Sequence, residues 1–154
     1  MKPKVLLRDV EPGDLPLFFE HQRDPVAVAM VVFRSRERDE FDKHWAKILA
    51  DETSLTKTIV ADGQVAGHIA SFLLDGKREI GYWIDRALWG RGIASEALSA
   101  FLRLEQRRPL HAGVAKHNLA SMRVLQKCGF SSSKGSPDQE PEAAGETHIL
   151  LTLT

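Results

Sequence analysis

The chain has almost no cysteine and no excess of either charge. Its single cysteine, Cys128, excludes an intrachain disulfide and a cysteine-based structural zinc site. Lysine plus arginine and aspartate plus glutamate each number 21, so the formal net charge is zero. Neither a broad basic surface for nucleic acid nor an acidic solvating tail is therefore expected.

Long hydrophobic runs and a metal-ligand pattern are also missing. The longest apolar run, residues 26–33, is far shorter than the roughly 20 residues of a membrane span. Arg8, Asp9 and Glu11 interrupt the start of the chain, so no secretory leader is expected. No internal repeat or convincing cluster of metal ligands is visible. These absences predict one cytoplasmic domain, an enzyme or a binding protein, without metal, nucleic-acid or membrane partners.

What is present is an alternation of strand and helix patterns. Asp14 is predicted to cap the first helix and Asn118 the last. Asp62-Gly63 is a type I′ hairpin signal, and Asp75-Gly76 makes the next turn, which together predict an antiparallel run of three strands. The predicted elements, in chain order, are a strand at 4–8, a short helix after Asp14, a helix at 37–50, strands at 56–61, 64–73 and 78–85, a helix at 93–107, a strand at 110–115, a helix after Asn118, a mobile loop at 131–146 and a strand at 147–153. This strand-helix-helix-strand-strand-strand-helix-strand-helix-strand order predicts an α/β fold, in which a mixed sheet has helices on both faces.

The glycine-rich turn, residues 89–94, is the most informative segment. It leads from a predicted strand into a predicted helix, so it places unpaired backbone N–H groups at a helix N-terminus. Gly90 and Gly92 carry no Cβ and allow a phosphate to approach the backbone closely, while Arg91 adds positive charge. The pattern predicts a site for a cofactor that carries a diphosphate. The bland alternative is an ordinary tight connection.

Three segments together resemble the GNAT acetyltransferase superfamily, and within it the branch that acetylates ribosomal-protein N-termini. The segments are Glu79-Ile80-Gly81-Tyr82-Trp83-Ile84, Gly90-Arg91-Gly92-Ile93-Ala94-Ser95-Glu96-Ala97-Leu98 and Asn118-Leu119-Ala120-Ser121-Met122-Arg123-Val124-Leu125-Gln126-Lys127-Cys128-Gly129-Phe130. With the weaker start at Leu7-Arg8 and Asp14-Leu15, the resemblance spans nearly the whole chain. It implies a mostly antiparallel GNAT-like sheet in a single domain, residues 1–154.

The resemblance implies acetyl-CoA as cosubstrate, without a metal. In the family, the fourth and fifth strands splay apart, the pantetheine arm pairs with the fourth strand, and the pyrophosphate lies at the glycine-rich turn. The implied cofactor-binding residues here are Trp83, Ile84, Asp85, Gly90, Arg91, Gly92, Ile93, Ala94, Ser95 and Asn118. One departure is Trp89, where the superfamily prefers Gln or Arg. Backbone amides can still bind phosphate at this turn.

Acetyl transfer to an amine needs a base, and a proton donor near the departing sulfur. By resemblance, Glu79 is the first candidate for the base, with His68 and Glu20 as weaker ones, and Ser121 is the candidate general acid. Leu125 stands where many family members have the acidic tyrosine. The alternatives are a solvated Glu79, a Ser121 that bonds a backbone carbonyl, an Asn118 that only caps a helix, and a structural His68.

Three functions remain open at this point. The first is acetylation of a protein N-terminal amine, and the apolar run at residues 26–33 mildly favours such an acceptor. The second is acetylation of a small amine, such as a polyamine, an aminoglycoside or an amino acid. The third, suggested by Leu125, is an acyl-CoA-binding module without turnover. The acceptor groove is expected between the first two helices and the loop at 131–146, and a homodimer is left open.

Overall fold

The computed structural model describes residues 3–29, 36–132 and 148–154. Most of the predicted mobile loop at 131–146 and the end of the apolar run at 26–33 lie outside the described residues. The described helices are α1 (Leu15–His21), α2 (Pro25–Ala29), α3 (Arg38–Ala50), α4 (Ile93–Leu104) and α5 (Leu119–Lys127). The described strands are β1 (Val5–Arg8), β2 (Leu55–Ala61), β3 (Gln64–Leu74), β4 (Lys77–Ile84), β5 (Leu110–Ala115), β6 (Ser131–Ser132) and β7 (His148–Leu153).

The strands form one sheet in the order β1-β2-β3-β4-β5-β7-β6. Every neighbouring pair is antiparallel except β4 and β5, which are parallel. Both predicted hairpin turns are confirmed: Asp62 and Gly63 have φ of 49° and 82°, and Asp75 and Gly76 have φ of 52° and 79°. Two successive positive φ values are the mark of a type I′ turn, which matches the twist of the flanking strands.

Helices cover both faces of the sheet, as the sequence predicted. On one face α4 and α5 close the main core, in which Leu98, Phe101 and Leu125 pack against the sheet. On the other face α1 and α3 form a smaller aromatic cluster around Phe18 and Trp45. Side chains alternate along each strand, so one strand contributes to both cores. Among the helices of the described ranges, none combines the length and the apolar character that a membrane span needs.

Three local expectations were wrong. The sequence predicted two helices between the first two strands, but the described residues there form three α-helices, because α2 forms at the start of the apolar run. The helix at 93–107 ends at Leu104, since Glu105 adopts an extended conformation with φ −95° and ψ 99°. Asp14 precedes α1 without capping it, because its side chain accepts no hydrogen bond from that helix.

The carboxylate of Asp14 instead joins β1 to β2. Arg8 donates to both of its oxygens, at 2.8 and 2.9 Å, and the Thr58 hydroxyl donates at 2.7 Å. The backbone N–H of Glu11 is a further donor at 2.8 Å. Although burial alone would raise its pKa, these donors outweigh burial and lower the pKa of Asp14 to about 2.

Candidate active site

The strands β4 and β5 meet at one point and then separate. Their parallel pairing joins Glu79 to His111, and no other register pair links these two described strands. In contrast, β4 pairs with β3 along its whole length, from Lys77 opposite Leu74 to Ile84 opposite Gly67. The carboxyl half of β4 therefore presents an unpaired edge toward β5, and an extended ligand could add to that edge as a strand does.

The glycine-rich turn follows β4 and opens α4 with unpaired amides. Gly90 and Gly92 are left-handed, with φ of 80° and 79°, and Gly92 is the N-cap residue of α4. In the described part of the chain, the structure gives no acceptor for the backbone N–H groups of residues 90–95. Amides bunched at the N-terminus of a twelve-residue helix form a site for an anion, since the helix dipole adds positive potential there.

The space above this turn is open. A Cβ placed on Gly90 or Gly92 would meet no atom within 4 Å. Both glycines and Arg91 are exposed. Ala94 and Ser95, one turn into α4, are only half-buried, while Ile93 points into the core. The turn thus combines free donors, positive charge and room for a phosphate group.

Trp89 holds the turn against the end of β4. Its indole Nε1 donates to the backbone oxygen of Ile84 at 2.9 Å, and its own N–H donates to the oxygen of Arg86. Sequence reasoning noted Trp89 only as a departure from the usual Gln or Arg. In the structure, the hydrogen bond from this side chain to Ile84 links the glycine-rich turn to the end of β4.

The backbone at the end of β4 is partly engaged. The Asp85 N–H donates to the oxygen of Ala66 at 2.8 Å, and its oxygen accepts from Leu88. Successive residues of a strand direct their backbone groups to alternate sides, so Ile84 faces β5 when Asp85 faces β3. Since the Ile84 oxygen already accepts from Trp89, the group on this edge that can bind a pantetheine arm is the Ile84 N–H. By the same alternation the backbone of Trp83 faces β3, so Trp83 and Asp85 contribute less than the resemblance implied.

These features can now be set beside known proteins. Residues 4–131 match the family described as Acetyltransferase (GNAT) domain. The chain belongs to this GNAT acetyltransferase family. The match covers most of the chain and includes the splayed strands, the glycine-rich turn and α5.

One curated relative is the probable N-acetyltransferase YjcK of Bacillus subtilis, which is 35% identical over 99 residues. The alignment covers 61% of this chain, and the chain spans about half of that relative, 50% of its length. Its activity as a whole protein therefore does not transfer by similarity alone.

Two solved structures share the fold. RimL, a ribosomal L7/L12 alpha-N-protein acetyltransferase in complex with coenzyme A, has a TM-score of 0.76 at 18% identity, over 96% of this chain and 91% of that one. The spermidine N-acetyltransferase of Vibrio cholerae, in complex with coenzyme A and spermine, has a TM-score of 0.76 at 17% identity, over 96% and 92%. At such identities the likeness establishes the GNAT fold and leaves the acceptor open.

In this GNAT domain, Asn118 caps α5 as the sequence predicted. Its Oδ1 accepts the backbone N–H of Ser121 at 3.2 Å, while its own N–H donates to the oxygen of Ala115. The side-chain amide N–H₂ group is not used by the cap. Asn118 can therefore cap the helix and donate to a ligand at the same time.

Ser121 lies in the first turn of α5 and contacts Tyr82 of β4. The Tyr82 hydroxyl and the Ser121 hydroxyl are 2.7 Å apart. Leu125, one turn further along α5, is buried in the main core. Helix α5 therefore has no tyrosine at position 125, but Tyr82 of β4 places its hydroxyl beside the first turn of the same helix. The two partners are 39 positions apart in the chain, so their contact leaves no local signal in the sequence.

Glu79 lies at the point where β4 and β5 begin to separate. Its side chain is half-buried, and burial raises its pKa, with Lys77 acting in the opposite direction and Asp75 in the same one. A carboxylate with a raised pKa is a stronger base at neutral pH. Because side chains alternate along β4, Glu79 and Tyr82 project to opposite faces. The two predicted catalytic groups, Glu79 and Ser121, are accordingly not in contact but flank the same gap.

The other two base candidates have structural surroundings. His68 is half-buried, with its ring 4.8 Å from that of Phe18 and 4.9 Å from that of Trp45. Burial, aided by the neighbouring His21 and His44, lowers the pKa of His68 to about 3, so the ring stays neutral and weakly basic. Glu20 is exposed on α1 and its carboxylate lies 3.4 Å from the guanidinium of Arg23.

Helix α2 lies beside the gap between β4 and β5. The Ala29 oxygen is 2.8 Å from Nε2 of His117, which precedes α5. At the other end of α2, Asp24 pairs with Arg86, which follows β4, at 2.7 Å. These contacts connect α2 to the segments that follow both β4 and β5. The sequence predicted an acceptor groove in this region but did not predict α2.

Proposed function

We propose that this GNAT domain transfers the acetyl group of acetyl-CoA to a primary amine, and that the amine is a protein N-terminus. The observation that carries the proposal is the set of unpaired amides at residues 90–95, beside a β4 edge that has no strand partner. The residues proposed to hold acetyl-CoA are Trp83, Ile84, Asp85, Gly90, Arg91, Gly92, Ile93, Ala94, Ser95 and Asn118. No metal takes part in the proposed reaction.

The two proposed catalytic groups, Glu79 and Ser121, lie on opposite faces of β4. Acetyl-CoA supplies the acetyl group as a thioester. Glu79, directly or through water, takes a proton from the amine, whose nitrogen forms a bond to the acetyl carbon. The carbon–sulfur bond breaks with its electron pair on sulfur, and the Ser121 O–H donates to the developing thiolate. The products are an N-acetyl amide and free coenzyme A. Glu79 then gives its proton to solvent and Ser121 regains one from solvent, so both groups return to their starting states.

Among the described residues, the charges next to α2 favour a peptide over a polyamine. A polycation would need unpaired carboxylates, but Asp24 is paired with Arg86 and Glu20 with Arg23. Asp85 accepts the backbone N–H of Ala87 at 3.1 Å. The structural likenesses to RimL and to spermidine N-acetyltransferase are equally strong, so they do not favour either acceptor.

The proposal is tested by release of free thiol from acetyl-CoA with the purified chain. The acceptors are short peptides with a free N-terminus, the same peptides with a blocked N-terminus and an internal lysine, and spermidine. We expect turnover with the free peptides alone, and a fall in kcat of about 100-fold in Glu79→Gln, the usual size of a lost general base. Turnover with spermidine alone would contradict a peptide acceptor and support acetylation of small amines.

The non-catalytic alternative predicts a different result in the same assay. An acyl-CoA-binding module would bind coenzyme A, detected by calorimetry, but release no thiol with any of the amines. Binding without turnover would therefore contradict the proposed reaction and leave the cofactor site intact. Absence of both binding and turnover would contradict the cofactor site as well.

A further inference from the structure

We propose that Tyr82 is a positioning residue that orients the Ser121 hydroxyl toward the departing sulfur, an inference that rests on the proposed acetyl transfer. The observation is the 2.7 Å separation between the two hydroxyl oxygens. Tyr82 belongs to β4 and Ser121 to α5, so the contact reaches across the side of the molecule where β4 and β5 separate. That gap is also where the proposed thioester lies.

A serine hydroxyl needs such a partner to act as a directed donor. It has one proton and rotates freely, and in a helix it can turn that proton back to the carbonyl four residues earlier. Within the described residues, Tyr82 is the one side chain that the structure places within hydrogen-bond distance of Ser121 Oγ. If Tyr82 donates its O–H to Ser121, the serine oxygen is held toward β4 and its own proton stays available for sulfur.

Tyr82 is suited to the donor role. Burial raises its pKa, an effect that the hydrogen bond to Ser121 opposes and Cys128 reinforces, so the phenol stays protonated at neutral pH. A phenol is also more acidic than an aliphatic alcohol and is therefore the better donor of the pair. Tyr82 itself neither gains nor loses a proton in this role. The surrounding core, with Leu125 buried one turn along α5, keeps competing water from much of the phenol ring.

The kinetic test is a double-mutant cycle with Tyr82→Phe, Ser121→Ala and the double variant, assayed by thiol release with the peptide acceptor. We expect Tyr82→Phe to lower kcat about 10-fold, the effect of one hydrogen bond in the transition state, while KM for acetyl-CoA changes less than about twofold. The double variant should be no slower than Ser121→Ala, since Tyr82 acts through Ser121. Ser99→Ala, an exposed serine on α4, is the control and should match the unmodified chain.

A second readout does not need the acceptor. Tyr82 is the sole tyrosine of the chain, so a tyrosine carbon label gives one NMR signal. We expect that signal to move when coenzyme A is added and to move less with desulfo-coenzyme A, which lacks the sulfur. In Ser121→Ala the two ligands should give the same shift, because the connection between sulfur and phenol is removed.

The outcomes separate the inference from the proposed function. If the losses of kcat in Tyr82→Phe and Ser121→Ala add up in the double variant, the role of Tyr82 is overturned while acetyl transfer stands. The same holds if the tyrosine signal of the unmodified chain does not distinguish coenzyme A from desulfo-coenzyme A. Full activity in Tyr82→Phe would do the same. If the unmodified chain binds coenzyme A but acetylates no amine, the proposed function fails and the role of Tyr82 fails with it.

Discussion

The two ends of helix α4 are built in opposite ways. At its N-terminus the amides of residues 90–95 have no acceptor among the described residues, and both glycines of the turn are exposed. At its C-terminus Glu105 is only 2% exposed, and every polar group it has is bonded. Its carboxylate accepts from the Ser71 hydroxyl and from the backbone and guanidinium of Arg107. Its N–H donates to Phe101, and its oxygen accepts from Arg108.

The contrast shows which end anchors the helix and which end is left for a ligand. Buried polar groups in a folded protein are almost always paired, and the C-terminus obeys that rule at a charged residue. The N-terminus leaves its donors to water, at little cost because the turn is exposed. Stability should therefore depend on Glu105, and affinity for acetyl-CoA should depend on the glycine-rich turn.

The largest expected effect is on stability, in Glu105→Ala. Loss of the carboxylate leaves the buried Ser71 without its acceptor and frees Arg107, which should lower the free energy of unfolding by about 3 kcal/mol. Urea denaturation measures this loss, and calorimetry should show an acetyl-CoA Kd within about twofold of the unmodified chain. Glu52→Ala, at an exposed glutamate, is the matched control and should change stability by less than about 0.5 kcal/mol. A large loss of acetyl-CoA affinity in Glu105→Ala would contradict the assignment of stability to one end of α4 and cofactor binding to the other.

The next effect is on affinity, in Gly92→Ala. Alanine is strained at a φ of 79°, and its methyl group would occupy the space over the amides. We expect the Kd for acetyl-CoA, measured by calorimetry, to rise on the order of 30-fold, which corresponds to about 2 kcal/mol.

The control for Gly92→Ala is Gly76→Ala. Gly76 has the same φ of 79° and no atom within 4 Å of an added Cβ, but it lies in the turn between β3 and β4. It should carry the same backbone strain and keep the unmodified Kd. Equal Kd values for the two variants would mean that the turn does not hold the cofactor.

A smaller effect on affinity is expected in Trp89→Phe. The ring is kept, but the 2.9 Å hydrogen bond from Nε1 to the oxygen of Ile84 is lost. One such bond contributes about 1 kcal/mol, so the acetyl-CoA Kd should rise about fivefold. An unchanged Kd would show that the turn keeps its position without the indole donor.

The last effect concerns the pH dependence of stability. The hydrogen bonds to Glu105 outweigh its burial and lower its pKa from 4.5 to about 2. Because the folded value is the lower one, this stabilisation is complete above about pH 4.5 and is lost as the pH falls toward 2. Glu105→Gln should therefore reduce the slope of stability against pH in this window by about one proton at most, as measured by urea denaturation at several pH values. Asp14, whose pKa is also about 2, should preserve a slope in the variant.

Local signals in the sequence were enough to place most of the fold. The aspartate–glycine pairs predicted both hairpins, the strand at Leu110–Ala115 had the observed bounds, and Asn118 capped its helix as expected. Each of these depends on residues within a few positions of one another. The glycine-rich turn belongs to the same class, because its conformation follows from Gly90 and Gly92.

What could not be predicted depends on partners far apart in the chain. Helix α4 ends early because Glu105 bonds Ser71, 34 residues away. The Asp14 carboxylate does not cap α1 but accepts a hydrogen bond from Thr58, 44 residues away. The pairing of Tyr82 with Ser121 and the point at which β4 and β5 separate are likewise properties of the assembled sheet. Helix periodicity and capping preferences carry no information about such contacts.

The uneven pairing of β4 has a thermodynamic consequence. On one side it is joined to β3 by eight successive register pairs, and on the other to β5 by the single pair Glu79 and His111. The hydrogen-bonded ladder of the sheet is thus interrupted in its centre. A molecule that pairs with the exposed length of β4 would restore continuity there, so occupancy should slow amide exchange in the strands on both sides of the interruption, and not only where the ligand touches.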